Sequence, residues 1–217
     1  MPDLVLHIGF SKTGTTSIQH HLSLYGTRRI PATNYVYCAF NDKGIVVTGN
    51  KLRRAASFFP GGYIPSTNKV PLNGKAVNRL RKGVESILES GLVPVFSQED
   101  WGRNGILFVS MMDQLGLKAR VIAFVRPQVE FFNSGWWQWW YWMGKFTTPE
   151  DMIGDGRFGF LCWFEQLNRW RRIPQVERLD ILIFSHDSVN DFLGALGSPS
   201  VTSERINIGL NPLILKS

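Results

Sequence analysis

The stretch that most constrains the fold begins almost at the first residue, where an apolar run passes into a turn rich in glycine and hydroxyl residues. Residues 4–8 have the composition of a buried strand, and the turn opens an amphipathic helix. At such a helix N-terminus, unpaired backbone N–H groups and the positive end of the helix dipole attract phosphate or sulfate. The turn therefore predicts an anion-binding loop, whose members are Ser11, Lys12, Thr13, Gly14, Thr15, Thr16 and Ser17.

The position of the lysine distinguishes between two kinds of nucleotide-binding loop. A nucleoside-triphosphate loop has the form Gly-x4-Gly-Lys-Ser/Thr, with its lysine directly after the second glycine. Gly9 and Gly14 have that spacing, but Thr15 occupies the lysine position and Lys12 lies inside the loop. This placement favours contact between Lys12 and a bridging or leaving-group oxygen over a clamp on a terminal phosphate.

With these residues in view, the segment Leu-His-Ile-Gly-x-x-Lys-Thr-Gly-Thr-Thr-Ser-Ile-Gln resembles the sulfotransferase family, whose 5′-phosphosulfate loop has a Lys-x-Gly-Thr-Thr core. It is most similar to the bacterial, carbohydrate-type members. The resemblance implies a P-loop-like domain that takes the sulfuryl group from 3′-phosphoadenosine 5′-phosphosulfate (PAPS), releases adenosine 3′,5′-bisphosphate and needs no metal. It also implies a hydroxyl acceptor, with a carbohydrate as the favoured class, and a catalytic role for Lys12.

A second candidate follows the apolar strand at 92–96. Ligands of open α/β sheets bind beyond the carboxyl ends of the strands, so Glu99 is expected on the same edge as the loop after the first strand. A carboxylate there can take the proton that an acceptor hydroxyl loses as it attacks. We predict Glu99 as the general base, and the Ser-x-Glu pattern of residues 97–99 is also frequent in the resembling family. The alternative is a helix-capping acid, a role that Asp100 could fill.

The third group lies at the junction between an apolar strand and the helix after it. Pro127 suits the first position of that helix, where its missing N–H does no harm. Arg126 then stands at the ligand edge, and Ser134 and Gln138 project from one helix face. The resembling family has an Arg here, a Ser eight residues on and a Gln four further. The resemblance implies that Arg126 and Ser134 hold the 3′-phosphate, and the family's C-terminal basic segment implies the same for Arg205.

Six aromatic residues crowd the far end of that helix, at 136–137 and 139–142. Consecutive residues step about 100° around a helix, so all six cannot face one core. Core packing, a stacking platform for a sugar or aromatic acceptor, and anchoring in lipid are the alternatives, and the first two together are preferred because a lysine-rich polar face is absent. The acceptor-binding candidates are Trp137, Gln138, Tyr141 and His7. For His7, an interior strand position is the alternative.

Strands and helices alternate along the 217 residues, a pattern typical of a mainly parallel sheet with helices on both faces. We therefore predict one α/β domain over residues 1–217. Helices are expected over 73–90 and 158–171, while 31–73 indicates short strands and loops. The helix over 158–171 would bury Leu161, Phe164, Leu167 and Trp170.

The charge balance suits a local anionic ligand. Lys and Arg outnumber Asp and Glu by 24 to 17, which gives a net charge of +7. The basic residues are dispersed in runs no longer than a pair, which argues against a nucleic-acid partner. Cys38 and Cys162 lack metal-ligand spacing and are expected to be buried thiols in a reducing compartment. No signal-like segment and no apolar stretch of about 20 residues is seen, so a cytoplasmic protein without a membrane span is expected.

Two other classes of function remain open at this point. A nucleoside-triphosphate-dependent kinase would use Glu99 or Asp100 as a magnesium partner, although Thr15 stands where its lysine belongs. A non-catalytic glycan- or lipid-binding module would use the tryptophans, and would leave both the Lys12 loop and the Arg126–Ser134 spacing unexplained.

Overall fold

The computed structural model describes residues 1–25, 29–71, 73–136, 148, 150–151 and 162–202. Within them, five parallel strands form the central sheet: β1 (Leu4–Gly9), β2 (Tyr35–Tyr37), β5 (Val93–Gln98), β6 (Ala119–Val125) and β7 (Val176–Ile183). Their order across the sheet is β2-β5-β1-β6-β7. Two short strands, β3 (Ala39–Phe40) and β4 (Val46–Val47), form a separate antiparallel pair.

Helices connect the strands and cover the sheet. The described α-helices are α1 (Thr15–Leu24), α2 (Gly49–Phe58), α3 (Gly74–Glu89), α4 (Gly105–Leu115), α5 (Gln128–Gly135), α6 (Trp163–Arg171) and α7 (Ser188–Ala195). A 3-10 helix, Glu99–Arg103, directly follows β5. The side chain of Asn73 accepts from the N–H of Ala76 at 2.8 Å and caps α3, so the helix expected at 73–90 is confirmed. In the described part of the chain, every helix is too short or too polar to cross a membrane.

Two hydrophobic cores enclose the sheet. Alternate residues of β1 point to opposite faces: Leu4, Leu6 and Ile8 enter the core beneath α3, α4 and α6, while Val5 enters the core beneath α1 and α7. Because β1 is buried on both faces, it forms a nearly continuous apolar run in the sequence. The predicted α/β fold, a mainly parallel sheet flanked by helices on both faces, is confirmed.

The central strand β1 marks the switch point of the sheet. The strands β2 and β5 lie on one side of it, and β6 and β7 lie on the other. His7 of β1 is level with Ser97 of β5 and Ile122 of β6. Ligands of open α/β sheets bind where the strand order reverses in this way. The topology therefore brings the loop after β1, Glu99 and Arg126 to one edge of the sheet.

Four local predictions differ from the structure. Cys38 is buried but Cys162 is exposed, so the expectation of a buried thiol is wrong for Cys162. Helix α2 lies in the interval where the sequence indicates short strands and loops. Phe164 is 78% exposed, so its assignment to the buried side of α6 is wrong. Pro127 has φ −49° and ψ 133°, and it precedes the first helical residue of α5 instead of occupying that position. The missing N–H of Pro127 is harmless at either position.

Candidate active site

The loop after β1 leads directly into the N-terminus of α1. Gly14, the N-cap of α1, is left-handed with φ 77°, and its carbonyl accepts from the N–H of Ile18 at 3.1 Å. Thr13 donates its hydroxyl to the carbonyl of Phe10 at 2.5 Å, which tightens the turn. The first turn of α1 contains no acidic residue, so no carboxylate of that turn neutralises the helix dipole. The residues Ser11, Thr16 and Ser17 are half-buried, and Thr15 is buried.

Lys12 is the residue around which the site is built. Its backbone is left-handed, with φ 67°, which costs a side-chain-bearing residue about 1 kcal/mol or more. The N–H of Lys12 donates to the carboxylate of Glu99, and its carbonyl accepts from Nη1 of Arg126 at 3.3 Å. Burial lowers the pKa of the Lys12 ammonium; Glu99 opposes this shift and Arg126 adds to it. The loop, the end of β5 and the end of β6 thus meet at Lys12.

Glu99 is the first residue of the 3-10 helix after β5. Burial raises the pKa of its carboxyl, and Asp100 raises it further, whereas Lys12 and Arg103 act in the opposite direction. Glu99 lies in the first turn of the 3-10 helix, which is capped by the Gln98 side chain, and its carboxylate faces Lys12. A half-buried carboxylate with a raised pKa has the properties of a general base.

Gly9 allows the end of β5 to approach the loop. A Cβ added to Gly9 would lie 2.2 Å from Oγ1 of Thr15 and 3.1 Å from Cα of Glu99. A Cβ added to Gly102 of the 3-10 helix would lie 2.8 Å from the carbonyl oxygen of Gly9. The two backbones are therefore too close for a side chain between them, and the glycines set the distance between Glu99 and the loop.

Arg126 follows β6 and is held from several directions. Its guanidinium lies 4.8 Å from the ring centre of Phe184, and Nε lies 3.5 Å from Oε2 of Glu130. The carbonyl of Arg126 accepts from Nε1 of Trp163 at 2.9 Å. Its Nε is buried and makes no hydrogen bond to a described residue. A further anion would therefore be bound by the Nη groups of the guanidinium.

Ser134 lies in the last turn of α5 and is half-buried. It stands six residues after Gln128, the first residue of α5, which corresponds to about 9 Å along the helix axis. A phosphate bound by both Arg126 and Ser134 would have to lie along this helix. Four further predicted site residues lie outside the described residues: Trp137, Gln138, Tyr141 and Arg205.

His7 points into the interior of the protein. Its ring is fully buried against Phe124 and Phe192, and its Nδ1 lies 2.8 Å from Oγ of Ser97. Gln19 donates to the same hydroxyl at 3.1 Å. Burial lowers the pKa of His7 to about 3, so the imidazole is neutral at neutral pH. A fully buried ring has no atom to offer an acceptor, which corrects the acceptor-binding assignment of His7 in favour of the interior strand position.

Gln98 is a site residue that the sequence prediction missed. Its Oε1 accepts from the N–H of Glu99 at 2.6 Å, and its Nε2 donates to the carbonyl of Ser66 at 2.5 Å. The sequence did contain one signal for Gln98, because it is a polar residue between an apolar strand and the candidate base Glu99. The partner Ser66, however, is 32 residues away in the sequence and has no local signal that would have connected it to Gln98.

The groups that meet at this site are suited to binding an anion. They are an ammonium, a guanidinium, hydroxyls and the N–H groups of a helix N-terminus, which are the donors that phosphate and sulfate oxygens prefer. One carboxylate, that of Glu99, stands beside them. In the described part of the chain, no group of three or more His, Cys, Asp or Glu side chains is arranged to hold a metal ion. The site therefore combines an anion cradle with an adjacent proton acceptor.

Comparison with known proteins gives one informative result. No family model matches the chain, and no curated protein matches it significantly. Among solved structures, the chain is similar to the crystal structure of a sulfotransferase from Alicyclobacillus acidocaldarius, with a TM-score of 0.51 and 14% sequence identity. The match covers 100% of this chain and 89% of that chain. The protein thus has a sulfotransferase-like fold.

Proposed function

We propose that this protein is a sulfotransferase that moves a sulfuryl group from PAPS to a hydroxyl group, with a carbohydrate as the favoured acceptor. The observation that carries this proposal is that Glu99 and Arg126 both contact the backbone of Lys12, Glu99 at its N–H and Arg126 at its carbonyl. The transfer needs a cation at the leaving oxygen, a proton acceptor and a binding group for the second phosphate of the donor. Lys12, Glu99 and Arg126 have these three chemistries. The fold shared with a sulfotransferase structure supports the same reaction class.

The loop residues would hold the 5′-phosphosulfate. The bound donor supplies a sulfur atom that bonds to the acceptor oxygen while its bond to the 5′-phosphate oxygen breaks, and the electron pair of that bond stays on the phosphate oxygen. Lys12 would neutralise the charge that grows there. The backbone N–H groups and hydroxyls of residues 13–17 would bind the phosphate. In this scheme the protein acts mainly by positioning and by charge stabilisation, as in phosphoryl transfer.

Glu99 would accept the proton of the attacking hydroxyl. A general base must be deprotonated to act, and its strength rises with its pKa. The raised pKa of Glu99 therefore makes it a stronger base than an exposed glutamate. Its hydrogen bond from the N–H of Lys12 links the base directly to the loop that would bind the donor.

Arg126, Ser134 and Arg205 would bind the 3′-phosphate. A guanidinium suits this role because its planar fork can meet a phosphate through two hydrogen bonds. The acceptor would lie against Trp137, Gln138 and Tyr141, because aromatic side chains pair an apolar face with polar edges and suit a sugar ring.

Calorimetric titration with adenosine 3′,5′-bisphosphate tests the donor site, with ATP plus magnesium as the comparison. We expect metal-independent binding of the bisphosphate, weakened by at least about tenfold in Arg126→Ala because the phosphate loses its guanidinium partner. Arg178→Ala is the matched control, since Arg178 lies on β7 and pairs with Asp180. A preference for ATP with magnesium would contradict the proposal and favour a kinase. Binding of neither nucleotide would contradict the proposal as well.

A further inference from the structure

Gln98 connects Glu99 to a segment that is distant in sequence. It is the last residue of β5, and both ends of its side-chain amide are used: one accepts from the N–H of Glu99 and the other donates to the carbonyl of Ser66. An amide supplies one acceptor and one donor in this way. An ionised glutamate has no donor, and methionine has neither group at full strength. The chemistry of Gln98 therefore matches its two partners.

The segment that this amide contacts is itself fixed. Ser66 is 1% exposed; its N–H donates to the carbonyl of Ser97 at 3.0 Å, and its hydroxyl accepts from the N–H of Phe40 at 3.3 Å. The carbonyl of Thr67 accepts from Nε1 of the fully buried Trp101 at 3.0 Å. Residues 66–67 are thus anchored on both sides of the proposed base, before it and after it in the chain.

The two hydrogen bonds of Gln98 affect the position of Glu99 more than they affect the stability of the fold. β5 already pairs with β1 and β2 through its backbone, so strand pairing does not require this side chain. The rate of a reaction is more sensitive, because a displacement of about 1 Å in a catalytic group can lower it by about 100-fold. Both bonds of Gln98 act at the residue directly before Glu99. The position of the Glu99 carboxylate is therefore what they control most directly.

We propose that Gln98 is a positioning residue that holds the backbone of Glu99 so that its carboxylate faces Lys12. This inference rests on the proposed role of Glu99 as the general base. The Gln98 amide is bonded to Glu99 and to Ser66, and neither of these residues is assigned to donor binding. Loss of the amide should therefore lower kcat and leave donor binding intact.

The first test compares Gln98→Met with wild type. Sulfuryl transfer from radiolabelled PAPS is measured with a panel of mono- and oligosaccharides, and bisphosphate binding is measured by calorimetry. We expect kcat to fall by about 10- to 100-fold with the bisphosphate Kd unchanged within about twofold. Gln114→Met is the matched control, because Gln114 is exposed on α4, where its side chain contacts Ser110. It should leave both quantities at the wild-type level.

The second test uses Gln98→Glu, which keeps an acceptor for the N–H of Glu99, loses the donor to Ser66 and adds a negative charge beside the base. A nearby like charge raises the pKa of a carboxyl. The acid limb of the kcat/KM profile should therefore move to higher pH than in wild type. A limb that does not move would show that the group at position 98 does not act on the base.

The outcomes separate this inference from the proposed function. A folded Gln98→Met protein with wild-type kcat would overturn the inference. If that variant fails to fold, an acid limb of Gln98→Glu at the wild-type pH would overturn it. Failure of the wild-type protein to bind the bisphosphate would overturn the proposed function itself, and the role of Gln98 with it.

Discussion

Nη1 of Arg126 donates to the carbonyl of Lys12 at 3.3 Å, so the residue assigned to the 3′-phosphate touches the loop assigned to the 5′-phosphosulfate. The contact uses one of the five N–H donors of the guanidinium, and an anion would be bound by the remaining Nη donors, since Nε is buried beside Glu130. The two ends of a bisphosphate nucleotide would therefore meet parts of the protein that are already joined. Arg126 would support the loop as well as bind the ligand.

The first prediction concerns Arg126→Lys, which keeps the positive charge but loses the planar fork. We expect the bisphosphate to bind about 10- to 100-fold more weakly, because an ammonium cannot make the paired hydrogen bonds of a guanidinium or reach Lys12 at the same time. Calorimetry measures the change. Arg178→Lys on β7 should bind like wild type, and an equal loss in both variants would point to net charge and not to a site.

The second prediction separates the side chain of Lys12 from its backbone. Both Lys12→Ala and Lys12→Gly remove the ammonium, so both should lower kcat by about 100-fold or more. Glycine tolerates φ 67° and alanine does not, so the glycine variant should unfold with a free energy about 1 kcal/mol larger than the alanine variant. Urea unfolding measures the difference. Full activity in either variant would remove Lys12 from the mechanism.

The third prediction concerns the pH dependence of Glu99. Because its pKa is raised, the base is protonated at pH values where an ordinary glutamate is ionised, so kcat/KM should fall with decreasing pH at a value above 4.5. Glu99→Gln should lower kcat by about 100- to 10,000-fold and abolish this limb. Glu89→Gln, at the exposed end of α3, is the matched control. A limb that persists in Glu99→Gln would assign the titration to another group.

The fourth prediction concerns the close approach at Gly9. In Gly9→Ala the new Cβ would overlap Oγ1 of Thr15 and press on the backbone of Glu99, so the free energy of unfolding should fall by about 1–3 kcal/mol. Gly194→Ala in α7 meets no atom within 4 Å and should raise it by about 0.5–1 kcal/mol. Thermal and urea unfolding check both signs. A neutral Gly9→Ala would show that β1 and the 3-10 helix can move apart.

The fifth prediction concerns stability and pH. The folded protein keeps His7 neutral down to about pH 3, whereas the unfolded chain binds a proton below about pH 6.5, so this contribution is complete above pH 6.5 and is lost as the pH falls toward 3. Between pH 7 and 5 the loss is about 2 kcal/mol. His7→Asn keeps a polar group near Ser97 without titrating. Urea unfolding should therefore show a pH-dependent loss smaller by about 2 kcal/mol, and an equal loss would contradict the assignment.

The parts of the fold that could be predicted are those whose signals are local. α3 has a regular apolar face, a capping Asn73 and a terminating Gly91, and the structure places it where the sequence indicates. α2 buries only Leu52 and Ala56, so its apolar face is too sparse to mark a helix. In α6 Leu167 and Trp170 are buried as predicted, whereas Trp163 is buried where Phe164 was expected, since neighbouring apolar positions fit the helical period almost equally well. Leu161 lies outside the described residues. The buried residues of α6 are Trp163, Gln166, Leu167 and Trp170.

The candidate site also has features that the sequence predicts and features that it does not. Lys12, Glu99 and Arg126 could be brought together from the sequence because each follows an apolar strand, and parallel strands end at one edge. Their joining through the backbone of one residue depends on the left-handed conformation of Lys12, which no side-chain pattern indicates. His7 is buried because Phe192 of α7 packs against its face of β1, and that helix is distant in the sequence. Both features belong to tertiary packing.

The central place of β1 also governs the order in which the protein is assembled on the ribosome. The first strand leaves the tunnel long before either neighbour exists, and its contact between His7 and Ser97 joins residues 90 apart in sequence. Closing such a long loop is slow, so the nascent chain carries an unpaired apolar strand for much of its synthesis. A chain that stops after β5 has the lysine loop and the carboxylate but lacks the strand that brings the guanidinium. The three charged groups of the site are therefore together only after the chain has been made through Arg126.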